Sequence, residues 1–298
     1  IFGGTGFIGS ALETYLKSKG EEVQSVSRSG NRGSLGIDIT NESDFSKIGF
    51  VPDVIVNCAS IIPAQGKKSS DPHFLKNLFL TNVIGGANIA NWAVKHKIPQ
   101  LINCSTLVVV KKPWPDPLSE NAVNLPDGPH VGYCMSKLSQ EQIMNQCVAG
   151  SATKLLNIRL SAVYGTGMLP NGLIFNLLNN LLSNKEIVLN DANRNTLDFI
   201  NVVDVNKAIY AIAENGFEAQ IMNLASGKPI SVMDLAETLK RLTGSSSKIL
   251  NKETNKPTSK SNIDVDRLKK HIYEVYDDFI PLEEGLKAIV ENHKVSEQ

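Results

Sequence analysis

Short apolar runs alternate with amphipathic stretches through the first half of this chain, and no other feature narrows its possible folds as much. Val23-Gln24-Ser25-Val26, Asp53-Val54-Ile55-Val56-Asn57, Leu101-Ile102-Asn103-Cys104 and Leu155-Leu156-Asn157-Ile158-Arg159-Leu160 read as strands. Ile8, Leu12, Tyr15 and Leu16 fall at i, i+4, i+7 and i+8, the stripe of a helix with one face on a sheet, and Leu78 to Val94 carries a similar stripe. Strands that follow one another through helices must run parallel, with helices covering both faces. The expected fold class is therefore α/β, built on a doubly wound parallel sheet.

The second half continues the pattern less regularly. Asp198-Phe199-Ile200-Asn201-Val202-Val203 reads as a strand, Asp204 as the cap of a helix from Val205 to Glu214, and Gln220-Ile221-Met222-Asn223-Leu224 as a further strand. Ser231-Val232-Met233-Asp234 resembles a capping box with Asp in place of Glu, opening a helix that Gly244 closes. Residues 244–261, rich in Ser, Lys, Asn and Thr, read as a loop. So do residues 111–129, where Pro113, Pro115, Pro117, Pro126 and Pro129 exclude an interior strand or helix.

Composition removes several function classes. The chain has 298 residues, with 30 Lys+Arg against 30 Asp+Glu, so it has no basic excess with which to neutralise nucleic-acid phosphates. Cys58, Cys104, Cys134 and Cys147 lack C-x-x-C spacing and have no His at a ligand-like offset, so no metal is expected, and reduced thiols of a cytoplasmic protein are the simplest reading. No run approaches the roughly 18 apolar residues of a membrane helix, and no leader pattern stands before the first motif. The chain opens at Ile1-Phe2, directly before a glycine cluster, as though part of a first strand preceded it.

That cluster is the first chemical signal. Gly3-Gly4-Thr5-Gly6-Phe7-Ile8-Gly9 puts glycines at 3, 6 and 9 between a strand end and an amphipathic helix, as a tight turn requires when its backbone must approach a pyrophosphate and present helix N–H groups to it. Spacing alone is weak, because Gly30, Gly33 and Gly36 repeat it, but no helical stripe follows them and they read as a turn. Eighteen residues after Gly9, where an acid would bind the adenosine ribose, stand Ser27-Arg28-Ser29. Arg28 can pair with a 2′-phosphate that a carboxylate would repel, and a serine can donate to it, which favours NADP over NAD.

Tyr133-x-x-x-Lys137 is the second signal, a phenol and an ammonium one helical turn apart. Carbonyl reduction needs an acid at the oxygen and a hydride donor at the carbon. A phenol titrates near 10, and a neighbouring ammonium lowers the cost of ionising it. Tyr15-x-x-x-Lys19 has the same spacing, but Tyr15 lies on the first helix's packing stripe and reads as structural. Tyr133 follows the proline-rich loop, which follows Ser105-Thr106 at a strand's carboxyl end, where ligands of parallel sheets bind.

Taken in order, Gly3 to Gly9, Asp38-Ile39, Asn57-Cys58-Ala59-Ser60, Asn82, Ser105-Thr106, Tyr133-x-x-x-Lys137, Arg159-Leu160-Ser161-Ala162-Val163-Tyr164-Gly165 and Asp198 to Val205 resemble the extended short-chain dehydrogenase/reductases, within them the nucleotide-sugar epimerase, dehydratase and reductase group. The resemblance spans nearly the whole chain. It implies an NAD(P)-binding Rossmann domain over residues 1–160 and 196–226, and a smaller, mostly C-terminal α+β substrate domain over 161–195 and 227–298. It implies Tyr133 as acid/base, Lys137 as anchor of the nicotinamide ribose that also tunes Tyr133, and Thr106 orienting the substrate oxygen. Gly3, Thr5, Gly6, Phe7, Ile8, Gly9, Ser27, Arg28, Asp38, Ile39, Cys58, Ala59 and Ser60, together with Tyr133 and Lys137, would hold the dinucleotide, with Ser105 and Arg194 toward a nucleotide-sugar substrate. A homodimer is a further family expectation.

The departures are as informative. Thr106-Leu107-Val108 lacks the Asp-Glu that follows the threonine in 4,6-dehydratases, so dehydration is disfavoured, and Val109-Val110 stands where a Tyr-Gly is usual. Ala162 and Leu197 replace an Asn and an Arg that commonly hold the sugar nucleotide's phosphates. Arg194, three residues before Leu197, could reach the same phosphates, and His130, three before Tyr133, could touch the substrate. An epimerase or keto-reductase of a nucleotide-activated sugar is the leading reading. A reductase of a non-sugar carbonyl and a non-catalytic NADP(H) sensor are the alternatives.

Overall fold

The computed structural model describes residues 1–63, 71–128 and 130–296, so Pro129 of the proline-rich loop lies outside the described residues. Its centre is a parallel sheet. Strands β1 (Val26–Ser27) and β2 (Leu35–Gly36) pair on one side of Phe2, and β3 (Val54–Asn57), β4 (Gln100–Thr106), β5 (Lys154–Leu160) and β10 (Ile221–Leu224) follow on the other. Phe2 bridges Val26 and Asn57 in parallel, which closes the order β10-β5-β4-β3-Phe2-β1-β2. The strand expected at 23–26 is shorter and shifted, because Val26 is the residue that meets Phe2 and Leu35.

The period of two along each strand sorts its residues onto two faces. Ile55, Leu101 and Leu155 join Phe45, Ile89, Trp92 and Met144 in one core; their neighbours Val56, Ile102 and Leu156 join Leu12, Val205, Ile209 and Ile212 in the other. Helices α3 (Gly85–Lys95) and α4 (Val131–Val148) cover the first face, and α1 (Phe7–Ser18) and α6 (Val202–Asn215) the second. α2 (Pro72–Phe79) runs into α3 through one wide turn at Leu80–Ile84. Tyr15 is half-buried on α1 with its ring edge-on to Tyr210 of α6, a packing role.

A third core is formed by α5 (Gly172–Leu182), α7 (Val232–Thr243) and α10 (Leu282–Ser296), with Phe175, Leu178, Leu181, Leu235, Leu239, Leu286 and Ile289 inside. Small pairings frame it: β6 (Ala162–Tyr164) with β9 (Phe199–Asn201), β8 (Thr196–Leu197) with β11 (Ile230–Ser231), and β7 (Ile187–Asn190) with β12 (Ile249–Lys252). The short helices α8 (Asp266–His271) and α9 (Tyr273–Asp277) complete the chain. Ser231 caps α7 by accepting from the Asp234 N–H, and Gly244 ends it in a left-handed conformation, as the sequence pattern anticipates.

Two expectations fail. The segment 198–203 is strand only to Asn201; Asn201, not Asp204, caps α6 by accepting from the Val203 N–H, and Asp204 is buried against the Ile280 N–H. Residues 244–261 are not all loop, because Ile249–Lys252 pairs with β7 in spite of its polar surroundings. Among the described residues, no helix is long and apolar enough to cross a membrane.

α4 is fastened to the sheet by charge. Glu141 accepts from Arg159 Nε at 3.0 Å and Nη2 at 2.7 Å, and from Ser105 Oγ at 2.5 Å, with both charged side chains fully buried. A buried carboxylate left without its cation costs several kcal/mol. Arg159→Met is expected to destabilise the protein by about 3–5 kcal/mol, and Arg159→Met with Glu141→Leu to recover most of that loss. Urea midpoints of the two variants measure it; a loss in the single variant below about 1 kcal/mol would show that the pair does not fasten α4.

Candidate active site

The glycine turn connects Phe2 to α1. Gly3 takes a positive φ of 75° and donates its N–H to the Val26 carbonyl at 2.9 Å, so the chain reverses directly above the sheet. There is no room for side chains: a Cβ on Gly3 would stand 2.6 Å from the Ala59 nitrogen, and one on Gly9 would stand 2.3 Å from the Gly3 carbonyl oxygen. Gly6 is the N-cap of α1 and brings no side-chain cap, leaving the first helical N–H groups to face an anion. Phe7 and Ile8 open the helix, both half-buried, with Ile8 packed against the core under the turn. The repeat at Gly30 and Gly33 is a turn of two positive-φ glycines, not a second phosphate site.

From Gly3, Thr5 and Gly6 a cleft of about 1120 Å³ runs past the ends of the strands. Ser27, Arg28, Asp38, Ile39, Cys58, Ala59 and Ser60 line it, which brings most of the expected dinucleotide contacts to one place. Their chemistry differs in detail. Ser27 Oγ is turned inward on Ser34 Oγ at 2.7 Å and the Gly30 N–H, whereas Arg28 is exposed at the rim. Asp38 accepts from the Thr40 N–H and hydroxyl. His73, Asn77 and Thr81, from α2 and the turn after it, also line the cleft and carry no motif that sequence reading could pick out. The volume, the glycine cradle and the open helix N-terminus fit a dinucleotide.

At the carboxyl end of β4, successive residues point opposite ways. Ser105 faces inward to Glu141 and is 3% exposed, so it is not placed to touch a substrate as expected. Thr106 lies the other way and hydrogen-bonds the Tyr133 phenol. Burial pushes that phenol well above the usual tyrosine range, and the Thr106 hydroxyl draws it partly back. Lys137 is 1% exposed; its Nζ donates to the Cys104 carbonyl at 2.8 Å and to Gln140 Oε1. Loss of water around it pulls the ammonium down to about 8.

Behind this pair is a polar shell. Gln140 Nε2 donates to the Asn82 carbonyl at 2.7 Å, and Asn82 uses its side chain to clamp both backbone groups of Ile61 and the Ser136 hydroxyl. Asn82 sits in the wide turn Leu80–Ile84, a bulge of the kind that recurs at functional sites. Gln140 and Glu141 were not singled out by sequence, although their spacing of three and four from Lys137 puts them on its face of α4. Arg194 stays apart from all of this. Its guanidinium holds Asp191 at 2.5 Å and the Thr254 carbonyl at 2.9 Å.

Known proteins resemble this chain in sequence and in fold. A sequence model described as the NAD dependent epimerase/dehydratase family matches residues 1–225. A putative UDP-glucose 4-epimerase of Methanocaldococcus jannaschii is 27% identical over 259 residues, covering 82% of each chain, and the dTDP-4-dehydro-6-deoxyglucose reductase of Escherichia coli is 24% identical over 260 residues, covering 80% of this chain and 79% of that one. Among solved structures, the UDP-glucose 4-epimerase of Thermotoga maritima with UDP-glucose superposes with a TM-score of 0.80 at 23% identity, over 100% of this chain and 98% of that one, a likeness of fold. The glycine turn, the parallel sheet and the family match over most of its length place this chain in the NAD-dependent epimerase/dehydratase family, whose members are enzymes of nucleotide-sugar chemistry.

Proposed function

We propose that the protein is an NAD(P)-dependent epimerase or keto-reductase of a nucleotide-activated sugar, with Tyr133 exchanging the proton on the reacting oxygen. The observation that carries it is the Thr106–Tyr133–Lys137 group at the end of β4, beside a cleft shaped for a dinucleotide. When bound there, the dinucleotide supplies the hydride acceptor or donor. The chain's own residues handle the proton: Thr106 and Tyr133 hold the substrate oxygen between them, and Tyr133 donates to it in reduction or accepts from it in oxidation. Burial disfavours tyrosinate and the Thr106 hydroxyl favours it, and Lys137, held by the Cys104 carbonyl and Gln140 one helical turn from Tyr133, would be the cation that assists in the loaded site. The absence of an acid and base after Thr106 argues against a dehydratase.

Arg28 at the rim, with no carboxylate at the end of β1, supports NADP as the preferred cofactor; Ser27, turned inward, leaves that preference to Arg28 and Ser29. Half-buried Leu197 and exposed Ala162 favour a second reading, reduction of a non-sugar carbonyl. Exposed Ile84, Val131, Met135 and Ile143 around α3 and α4 support a homodimer, and sedimentation at the mass of one chain would remove that reading. Four free thiols fit the cytoplasm.

Tyr133→Phe is expected to lower kcat by roughly 10²- to 10⁴-fold while dinucleotide affinity stays unchanged; a variant that turns over normally would end the acid/base assignment. In the same titrations Arg28→Glu should weaken NADPH by roughly 10- to 100-fold and leave NADH little affected, and equal effects on both would remove Arg28 as the phosphate reader. UDP and dTDP should raise the melting temperature of the wild type, whereas no shift with either would favour the non-sugar reading. Burial of Lys137 has its own signature. An unfolded lysine titrates near ~10.4 and this one at about 8, so between those values the unfolded chain binds more protons and the lysine's contribution to stability rises with pH. Wild type should gain in urea midpoint over Lys137→Met as pH climbs from 8, and parallel curves would contradict the burial.

A further inference from the structure

Two cysteines meet where the cofactor cleft joins the catalytic group. Asn57 and Asn103 are partners in the β3–β4 register, and the next residue of each chain is a cysteine, so Cys58 and Cys104 stand side by side on one face of the sheet. Their Sγ atoms are 3.6 Å apart. Neighbouring strands lie about 4.8 Å apart, within the roughly 4.4–6.8 Å Cα spacing a disulfide spans. Cys58 is half-buried and opens to the cleft, and Cys104 is buried behind it. Neither thiol has a role in the proton chemistry above.

We propose that Cys58 and Cys104 are an oxidisable dithiol, a modification site at which a peroxide forms a disulfide that weakens dinucleotide binding. Cys58, half-buried on the cleft wall, takes one peroxide oxygen on its sulfur as the O–O bond breaks, and its thiol proton leaves with the other oxygen as water. The Cys104 sulfur then attacks the Cys58 sulfenic acid; the S–S bond forms, the S–O bond breaks, and the expelled hydroxide takes the Cys104 proton as a second water. Two thiols have lost two electrons and two protons, and one peroxide has become two waters. A thiol reductant reverses the step by exchange. The hydrogen bond between the two sulfurs and the nearby Lys137 ammonium hold the Cys104 thiol below its usual range, which suits it to resolve the sulfenic acid. The same bond and burial push the Cys58 thiol well above its own, so Cys58 reacts through its place on the cleft wall and not through a ready thiolate.

The consequence follows from what the two residues touch. The Cys58–Ala59 peptide is the surface on which Gly3 rests, with no space for even a methyl group between them, and the Cys58 N–H is bonded to the Phe2 carbonyl at 2.9 Å. The Cys104 carbonyl is one of the two acceptors that hold Lys137. Bringing the sulfurs from 3.6 Å to bonding distance, about 2.05 Å, therefore displaces groups that support the pyrophosphate turn on one side and the ammonium on the other.

The effect on binding rests on the dinucleotide reading of the cleft, whereas the crosslink itself does not. Wild type is treated with hydrogen peroxide, alkylated after denaturation, digested and weighed, and NADPH and NADH affinities are measured before peroxide, after it, and after dithiothreitol. The expected result is a protein two hydrogens lighter, two of its four cysteines protected from alkylation, a linked Cys58–Cys104 peptide, and dinucleotide affinity reduced by roughly tenfold or more and restored by the reductant. In Cys104→Ala, peroxide should leave the affinity ratio unchanged and no linked peptide should form. Four alkylated cysteines after peroxide, or oxygen added to Cys58 with no crosslink, would overturn the site. A crosslink with unchanged affinity would overturn its effect, and failure of the untreated protein to bind either dinucleotide would instead refute the reading of the cleft.

Discussion

The Glu141 carboxylate, fully buried and held by Arg159 and Ser105, is the interaction on which the site's precision rests. α4 carries Tyr133 and Lys137, and it meets the sheet through polar side chains: Ser136, Lys137, Gln140 and Glu141 are all buried. Apolar contacts alone would let a helix slide by fractions of an ångström at small cost. A carboxylate with three directional donors from two strands cannot shift without leaving charge unpaired in a medium of low dielectric. Glu141 therefore sets the height of α4 above β4 and β5, and with it the distance from the phenol to Thr106.

The same device is repeated at lower charge through the sheet. Asn57 donates to Asn103 at 2.9 Å and Asn103 to Asn157 at 2.9 Å, three in-register amides buried across β3, β4 and β5, and Asn157 reaches Asn145 of α4 at 3.3 Å. Each strand so linked is fixed in register as well as in spacing, since a slip of one residue would turn its amide to the opposite face. Asn82 does the corresponding work on the cleft side, joining Ile61 to Ser136 of α4. Together these bonds make the floor of the cleft and the helix that carries Tyr133 one hydrogen-bonded body, which is what the proposed role of Tyr133, holding a proton to within a few tenths of an ångström, requires.

The parts that sequence reading reached are those where physics leaves one solution. A strand buried on both faces is mostly apolar, so β3, β4, β5 and β10 were visible in spite of their buried asparagines; a positive φ beneath a close backbone contact admits only glycine, so the Gly3 turn was too. What stayed hidden depends on partners distant in the chain. Nothing near Glu141 announces that Arg159 lies opposite it, and a Gln-Glu-Gln run at 140–142 reads as a solvated face. β12 has only Ile249 and Leu250 as apolar residues and is a strand because β7 offers it an edge. Asn201 and Asp204 are both good caps by type; which one serves was decided by Ile280, whose N–H takes Asp204 out of competition. Ser105 and Thr106 were distinguishable in principle, since adjacent strand residues face opposite ways, but which way required knowing the register of α4.

That alternation is the source of the site's economy. At the end of β4, Cys104 faces Cys58 and the cleft side, Ser105 faces Glu141 and the helix side, and Thr106 faces the phenol, while the Cys104 carbonyl, edge-on to both, receives Lys137. Three consecutive residues thus touch the cleft wall, the ion pair that fixes α4 and the Tyr133 phenol. A change in strand twist or height at this point moves all three together. The carboxyl end of a central parallel strand is suited to this because its neighbours hold it on both sides, so its side chains share one rigid origin while pointing to different tasks.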